Sequence, residues 1–177
     1  MQIIIREIDQ HSLQYVDQFD STFMVESKLV LHAENGKISY TVVPAPLYEK
    51  HYPPHSLDYS AYVDNPNRAI FFAYVDEERA GQIRLLEYWN AYAYIDDITV
   101  APRYRQQGVG RALMEQAIQW AKAKGCPGLM LETQSNNVPA CRLYESCGFE
   151  LGGFDRNLYR GLNPAADEIA LYWYLIF

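Results

Sequence analysis

Residues 100–110 read V-A-P-R-Y-R-Q-Q-G-V-G, and this stretch decides the fold of the chain. A β-branched run precedes it at residues 95–100, and a helical pattern follows it at residues 111–124. The first amides of a helix have no partner within the helix and point into the preceding turn. Gly108 and Gly110 carry no Cβ, so an anion can approach the backbone closely. The stretch therefore predicts a strand, a turn and a helix that together cradle a phosphate or pyrophosphate group.

The spacing of this turn leaves a second interpretation open, in which the glycines only connect a strand to a helix. Two better-known phosphate loops are excluded. The G-x-G-x-x-G spacing of a dinucleotide-binding fold is absent, and no G-K-[ST] ending of a Walker loop follows.

The composition predicts one globular domain spanning all 177 residues, of which 49% are hydrophobic. A net charge of −7 argues against a nucleic-acid partner and favours a cationic small molecule. Neither a signal peptide nor a membrane-spanning stretch is recognised, so we expect a cytoplasmic protein with no membrane partner. The three cysteines are expected to be reduced. No metal site is expected, because Pro53 and Pro54 break the helix that would align His51 with His55.

The remaining pattern predicts a mixed α/β (α+β) fold with a mostly antiparallel sheet and helices on both faces. A strand at residues 2–8 and a helix at 9–19 come first. A hairpin then turns at Asn35-Gly36 within residues 28–43, and an irregular segment covers residues 44–66, as a packed surface excursion or a functional loop. Further strands are expected at residues 69–75, 81–89, 91–100, 129–133, 149–159 and 169–177. One helix should end at Lys124, and a second should run from Asn136 or Asn137 to Gly148. The last strand is apolar on both faces, so it should be interior to the sheet.

The turn at residues 105–110 is called the phosphate turn. In the strand before it, the apolar residues change from one alternation phase to the other. Ala93 and Ile95 share one parity, whereas Ile98 and Val100 share the other, so a single apolar face requires one slip near Asp96 and Asp97. This predicts a β-bulge that splays the sheet and opens a cleft with two carboxylates at its mouth.

Two motifs in this order resemble a known family. Val100-x-Pro102-x-x-Arg105-x-x-Gly108-x-Gly110 resembles the acyl-CoA motif of the GCN5-related N-acetyltransferase (GNAT) superfamily, and Asn137-x-x-Ala140-x-x-x-Tyr144-x-x-x-Gly148-Phe149 is similar to its second motif. The resemblance implies a single acetyltransferase domain at residues 1–177. Residues 68–177 would form the acyl-CoA-binding core, and residues 1–67 would shape the acceptor pocket.

Further segments are similar to streptothricin acetyltransferases within this superfamily. They are Tyr92-Ala93-Tyr94-Ile95-Asp96-Asp97-Ile98, Gly128-Leu129-Met130-Leu131-Glu132-Thr133-Gln134, Asn137-x-x-Ala140-Cys141, Leu158-Tyr159 and the terminal Trp173-Tyr174. The resemblance implies direct transfer, in a ternary complex, of an acetyl group from acetyl-CoA to an amine on the β-lysine arm of the antibiotic, which confers resistance. Another amine acceptor (a polyamine, an aminoglycoside or a protein lysine) and a non-catalytic acyl-CoA sensor stay open, and a homodimer is possible.

The resemblance also implies roles for individual residues. Tyr144 would protonate the departing CoA thiolate, and Asp96 or Asp97, with a slight preference for Asp96, would bind the acceptor ammonium and take its proton. An acyl-cysteine at Cys141 or Cys147 is disfavoured, because no His/Asp pair is spaced to activate either thiol. Glu132, Trp89, Tyr92 and Tyr94, together with Tyr88, would contact the acceptor. Acetyl-CoA would be held by Ile98, Thr99, Val100, Arg105, Gln106, Gln107, Gly108, Val109, Gly110, Arg111, Asn137, Ala140 and Tyr144.

Overall fold

The computed structural model describes residues 2–52 and 57–177, so His55, Pro53 and Pro54 lie outside the described residues. Nine strands and two α-helices occur in the described part. The strands are β1 (Ile3–Glu7), β2 (Phe23–Glu34), β3 (Lys37–Lys50), β4 (Arg68–Val75), β5 (Glu78–Glu87), β6 (Ala93–Val100), β7 (Gly128–Gln134), β8 (Glu150–Asp155) and β9 (Ala170–Ile176), and the helices are α1 (Val109–Ala123) and α2 (Val138–Ser146). This confirms the predicted mixed α/β class with a large, mostly antiparallel sheet.

The chain forms two compact units, the first built from residues 2–22, 51–129 and 177 and the second from residues 23–50 and 130–176. In the first unit the strands lie in the order β1-β4-β5-β6, and each neighbouring pair is antiparallel. Both parts of the chain that the sequence assigned to different tasks, residues 1–67 and 68–177, contribute strands to this unit. That assignment stays a prediction.

Helix α1 packs on one face of the first unit's strands. Its apolar side chains recur at helical spacing, and Leu113, Met114 and Ala117 are fully buried. Gly81 on β5 marks the closest approach, since a Cβ there would meet Leu113 Cδ1 at 3.4 Å and the Thr99 carbonyl oxygen at 2.6 Å. A side chain at position 81 would therefore push β5 away from both β6 and α1.

The opposite face of the same strands is covered by two short 3₁₀ turns, Leu13–Tyr15 and Tyr59–Tyr62. Ile70 and Phe72 of β4 form the floor of a core cluster there, and Ile8, Val16 and Tyr62 close over it. This face carries the polar residues described below.

The second unit combines strands in the order β7-β9-β8, the two-stranded hairpin β2-β3, and helix α2. As predicted, the last strand is interior, because β9 lies between β7 and β8 and buries Leu171 and Trp173. The hairpin turns at Asn35 and Gly36, both at positive φ, as the sequence predicted.

The predicted helix at residues 9–19 is wrong. Only the 3₁₀ turn Leu13–Tyr15 forms, because the Asp9 and Ser12 side chains bond each other's backbone amides and close a local turn. Asp17 then adopts a left-handed φ of 59°, which ends any helical path.

The predicted irregular segment at residues 44–66 is partly wrong, because β3 continues to Lys50. Pro44 and Pro46 are tolerated because the ladder slips there: Ser27 pairs with Pro44, whereas Val25 already pairs with Tyr48. A proline needs no ladder hydrogen bond at such an irregularity.

The predicted bulge is confirmed. Arg84 pairs with Asp97 and Leu85 pairs with Ile95, so Asp96 is the extra residue of β6. The splaying of the sheet that we expected from it stays a prediction. No helix in residues 2–52 or 57–177 is long and apolar enough to cross a membrane.

Candidate active site

The strand register gathers polar side chains on the face of the first unit opposite α1. Gln82 pairs with Phe72 and Arg84 pairs with Ile70, and these two apolar residues belong to the cluster on that face. Residues directly opposite in a ladder share a face. Since Arg84 also pairs with Asp97, and Gln82 with Thr99, that face carries an amide, a guanidinium, a carboxylate and a hydroxyl side by side.

Arg84 is the cationic centre of this group, and only 3% of its side chain is exposed. Its Nε donates to Asp96 Oδ2 at 2.6 Å, and its Nη1 lies 3.2 Å from Asp17 Oδ2 and 3.2 Å from the Tyr59 hydroxyl. Burial opposes the charge, but Asp97 and Asp96 hold the pKa of Arg84 above its ordinary value. A buried guanidinium without such partners would be strongly unfavourable.

Asp97 is half-buried and is held by neutral donors. Gln82 Nε2 donates to its Oδ2 at 2.7 Å, and the Thr99 hydroxyl donates to its Oδ1 at 3.1 Å. Burial raises the pKa of Asp97, and the donors and the Arg84 charge only partly offset that rise. This carboxylate is therefore more disposed to accept a proton than an ordinary aspartate.

Asp96 has a different environment, although it adjoins Asp97 in the chain. Its side chain is 33% exposed, and within the described part of the chain Arg84 is its hydrogen-bonding partner, through Oδ2. Because a bulge re-aims its extra residue, Asp96 is paired with Arg84 while its side chain stays partly exposed to solvent.

Asp17 is a carboxylate that sequence reasoning missed. The Tyr59 hydroxyl, Gln82 Nε2 and Arg84 Nη1 all donate to it, and its own backbone amide donates to Gln82 Oε1 at 3.0 Å. Burial works to raise the pKa of Asp17, but these hydrogen bonds and the Arg84 charge outweigh it and lower that pKa.

A group of aromatic side chains lies at the start of β6 and in the residues just before it. The Tyr88 and Tyr94 rings stack with centroids 4.9 Å apart, and Trp89 lies beside Tyr88 with 85% of its surface exposed. Tyr92 is half-buried, and its carbonyl accepts from the Tyr88 amide. An exposed indole next to stacked phenols suits a cation in contact with ring faces.

The predicted strand, turn and helix are present, and the turn around Gly108 leads from β6 into α1. Gln106 and Gly108 have φ values of 59° and 87°, and Gly108 caps α1. The first amide to bond back along the helix is that of Ala112, which donates to the Gly108 carbonyl. The preceding amides of the first turn are thus directed outward, as an anion site requires.

Arg105 shapes this turn by binding backbone carbonyls. Its Nε donates to the Val100 oxygen at 2.9 Å, its Nη1 to the Thr22 oxygen at 2.7 Å, and its Nη2 to the Asp20 oxygen at 3.3 Å. Burial lowers the pKa of Arg105. Gln107 reinforces the turn through its Nε2, which donates to the Arg103 oxygen at 2.7 Å.

The second unit holds the other predicted residues. Asn137 caps α2 and accepts from the Ala140 amide at 3.3 Å, and Tyr144 is buried with its ring against Phe149 and Trp173. Cys141 is fully buried, and burial raises the pKa of its thiol to about 12. That thiol is not activated as a nucleophile.

Glu132 on β7 accepts a hydrogen bond from the Tyr159 hydroxyl, and burial raises the pKa of its carboxyl. Both residues belong to segments that the family resemblance singled out. Within residues 2–52 and 57–177, no group of three His, Cys, Asp or Glu side chains is arranged to hold a metal ion.

The site residues that sequence reasoning missed are Asp17, Tyr59, Gln82 and Arg84. Gln82 and Arg84 carried a usable signal, because two polar residues alternate there with apolar ones on a buried strand. Asp17 and Tyr59 carried none, since they join the site only through the way residues 9–20 and 57–63 cross the sheet.

The strand, glycine turn and helix, with two aspartates at a bulge in that strand, match the arrangement expected of an acetyl-CoA-dependent acetyltransferase. The chain belongs to the acetyltransferase (GNAT) family, whose model matches residues 39–149. This confirms the family that the sequence predicted.

The relatives narrow the similarity further. Streptothricin acetyltransferase A of Bacillus subtilis (strain 168) is 41% identical over 156 residues, which cover 88% of this chain and 89% of the relative. A crystal structure of an acetyltransferase from Bacillus anthracis str. Ames in complex with acetyl coenzyme A is 46% identical with a TM-score of 0.92, covering 100% of this chain and 98% of that one. A nourseothricin acetyltransferase structure is 30% identical with a TM-score of 0.82, covering 98% of both chains.

Proposed function

We propose that this acetyltransferase transfers the acetyl group of acetyl-CoA directly to an amine on the β-lysine arm of streptothricin, and that the reaction confers resistance to the antibiotic. The streptothricin acetyltransferase relatives support the acceptor. The observation that carries the proposal is the environment of Asp97, a half-buried carboxylate with a raised pKa beside the more exposed Asp96. Such a pair suits an acceptor that arrives as a cation.

The need for a base can be stated as a free energy. A lysine-like amine with a pKa near 10.4 is unprotonated in only about one molecule in 10³ at pH 7, so presenting the nucleophile costs ~4.6 kcal/mol unless the site assists. A carboxylate that only paired with the ammonium would increase this cost. A partly desolvated carboxylate that can accept the proton reduces it.

The two aspartates therefore have different roles, one in binding the ammonium and one in accepting its proton. Asp96 is fixed by Arg84 through Oδ2 and is open to solvent, which suits docking of the ammonium. Asp97 is bound by neutral donors and has the raised pKa, which suits proton transfer. The sequence slightly favoured Asp96 as the base, and the environments of the two carboxylates favour Asp97 instead.

Acetyl-CoA, the acyl donor, would be bound by the two family motifs. The amides of residues 106–111 would bind the pyrophosphate, with Arg105 fixing the turn and adding positive charge. Residues 98–100 would pair with the pantetheine arm through their backbone as an added strand. Asn137 and Ala140 would contact the coenzyme, and backbone amides at the bulge would stabilise the oxyanion.

The protons balance as follows. The acceptor ammonium loses two protons on becoming an amide nitrogen. Asp97 takes the first and releases it to solvent. Tyr144 protonates the thiolate as the C–S bond breaks, and the second proton, lost once the N–C bond has formed, restores the phenol of Tyr144. One N–C bond forms, one C–S bond breaks and one proton reaches solvent.

The rest of the acceptor would be bound by aromatic and acidic side chains. The exposed Trp89 and the stacked Tyr88 and Tyr94 offer ring faces to a second cationic group, and Tyr92 lies in the same segment. Glu132, bonded to Tyr159, would add a carboxyl contact.

The test is thiol release from acetyl-CoA with streptothricin, run beside spermidine, kanamycin and a lysine peptide, with mass spectrometry of each acceptor. Turnover of streptothricin with the mass gain of one acetyl group, slowed in Tyr144→Phe, is the expected result. Turnover of another amine alone would replace the acceptor and keep the chemistry. Acetyl-CoA binding with no turnover of any amine would favour the sensor and overturn the proposal.

A further inference from the structure

Arg84 is the one buried cation among the described residues that surround the two aspartates, and none of the family motifs includes it. Three carboxylates face it: Asp17, Asp96 and Asp97. Without a cation, three carboxylates this close would repel one another and take up protons. The positive charge of Arg84 therefore allows these three carboxylates to lie close together.

The guanidinium uses separate nitrogens for separate partners. Nε binds Asp96 Oδ2 at 2.6 Å, and Nη1 reaches Asp17 Oδ1 and Oδ2 at 3.3 and 3.2 Å. Asp97, although opposite Arg84 in the ladder, accepts hydrogen bonds from Gln82 and Thr99 instead. The planar guanidinium therefore bonds directly to Asp96 and Asp17, whereas Asp97 interacts with it through charge.

We infer that Arg84 is a positioning residue of the acceptor site, which fixes Asp96 and Asp17 as charged partners and leaves Asp97 as the carboxylate that takes the ammonium proton. The inference rests on the proposed function. Asp17 also connects neighbouring elements, because its bonds to Gln82 and Tyr59 tie the residues after the first 3₁₀ turn to β5 and to the second 3₁₀ turn.

The groups that face Asp97 determine what its titration reports. Gln82 and Arg84 from β5, Thr99 from β6 and Asp17 after the first 3₁₀ turn act on Asp97 directly. Asp96, Tyr59 and Tyr62 interact with Arg84. Arg84 is the cation in this set, so removing it changes the titration of Asp97 in a known direction.

The experiment compares Arg84→Met and Arg84→Lys with the parent protein and measures kcat/KM against pH. In Arg84→Met, the acidic limb of the kcat/KM pH profile should move to higher pH by about 1–3 units, because a nearby opposite charge usually has an effect of this size. Arg84→Lys keeps the charge but loses the fork, so its limb should move less while kcat falls. Arg6→Met, at an exposed arginine of β1 paired with Glu77, is the matched control and should leave the limb in place.

A second readout does not depend on turnover. Carbon-13 NMR of the Asp97 carboxyl should titrate at higher pH in Arg84→Met than in the parent. If Arg84→Met does not fold, Arg84→Gln supplies both readouts, because it also removes the charge and should give the same upward shifts. An unmoved limb and an unmoved Asp97 titration in a folded variant that lacks the Arg84 charge would overturn the inference. A parent protein that acetylates no amine would overturn the proposed function instead, and the NMR comparison would still decide the role of Arg84.

Discussion

Arg84 Nε lies 2.6 Å from Asp96 Oδ2, although Asp96 is the residue that the bulge leaves without a partner in the ladder. The two facts are connected, because a bulge re-aims the side chain of its extra residue. Asp96 is thereby paired with the cation on β5, while Asp97, in register with Arg84, is held by neutral donors. One inserted residue thus gives two adjacent aspartates different environments.

Asp97→Asn should remove the base and keep the shape of the side chain. We expect kcat to fall by about 10²–10⁴, the usual contribution of a general base, and the acidic limb of the pH profile to disappear. Asp96→Asn should instead raise KM for the acceptor more than it lowers kcat, since Asp96 is assigned to docking. The measurement is steady-state kinetics from pH 5 to pH 9. Equal losses of kcat in both variants would contradict this division.

Asp167→Asn is the control for a general effect of net charge. Its carboxylate is 78% exposed and pairs with Lys28 in the second unit. Kinetics in this variant should match those of the parent.

Tyr144→Phe should separate chemistry from binding. The ring packs against Phe149 and Trp173, and phenylalanine keeps those contacts. We therefore expect a kcat lowered by roughly 10²-fold, because the proton donor is lost, and a much smaller change in the affinity for acetyl-CoA by calorimetry. Tyr174→Phe on β9 is the matched control. A Tyr144→Phe variant with full kcat would remove this tyrosine from the mechanism.

Local patterns determine much of this fold. The hairpin at Asn35 and Gly36, the bulge at Asp96 and the start of α2 at Asn137 each follow from residues close together in sequence, and each was predictable. The failed helix at residues 9–19 was also local in origin, since its pattern was helical. There the bonds between Asp9 and Ser12, and the bonds that hold Asp17 in a left-handed conformation, outweighed helix propensity.

The candidate site was predictable only where it follows motifs. The turn around Gly108 and the pair Asp96-Asp97 could be located from spacing alone. Asp17 and Tyr59 could not, because they reach Arg84 across 67 and 25 positions of sequence. Such a contact depends on how two short 3₁₀ turns cross the sheet, and no local sequence pattern specifies that crossing.

Cys141→Ala should leave kcat unchanged. Burial raises the pKa of the Cys141 thiol to about 12, so almost none of it is thiolate at neutral pH. Intact-protein mass spectrometry after incubation with acetyl-CoA should show no acetylated enzyme. Cys147→Ala, at the half-buried cysteine that ends α2, tests the alternative thiol. An acetyl adduct lost in either variant would replace direct transfer with a covalent intermediate.

Gly108→Ala should weaken acetyl-CoA binding. Gly108 has a φ of 87°, and an L-residue there costs about 1–2 kcal/mol, so the turn is expected to relax and misdirect its amides. Gly125→Ala is the matched control, because Gly125 has a φ of 72° at the other end of α1. Both variants should lose similar thermal stability, while only Gly108→Ala should raise the Kd for acetyl-CoA in calorimetry. Equal affinity in the two would contradict the role of this turn.

Asp17→Asn should destabilise the protein in a pH-dependent way. Tyr59, Gln82 and Arg84 together lower the pKa of Asp17 below its ordinary 3.8 despite its burial. A carboxyl whose pKa is lowered by folding stabilises the protein above the unfolded pKa, and this stabilisation is lost as the pH falls through the folded pKa. We therefore expect Asp17→Asn to cost about 1–3 kcal/mol at pH 7, typical of a lost hydrogen bond to a charged group. Urea unfolding at several pH values measures the difference, which should be constant above about pH 4 and should narrow at lower pH. A difference that stays constant down to pH 2 would show that the ionised carboxylate of Asp17 does not hold this part of the site.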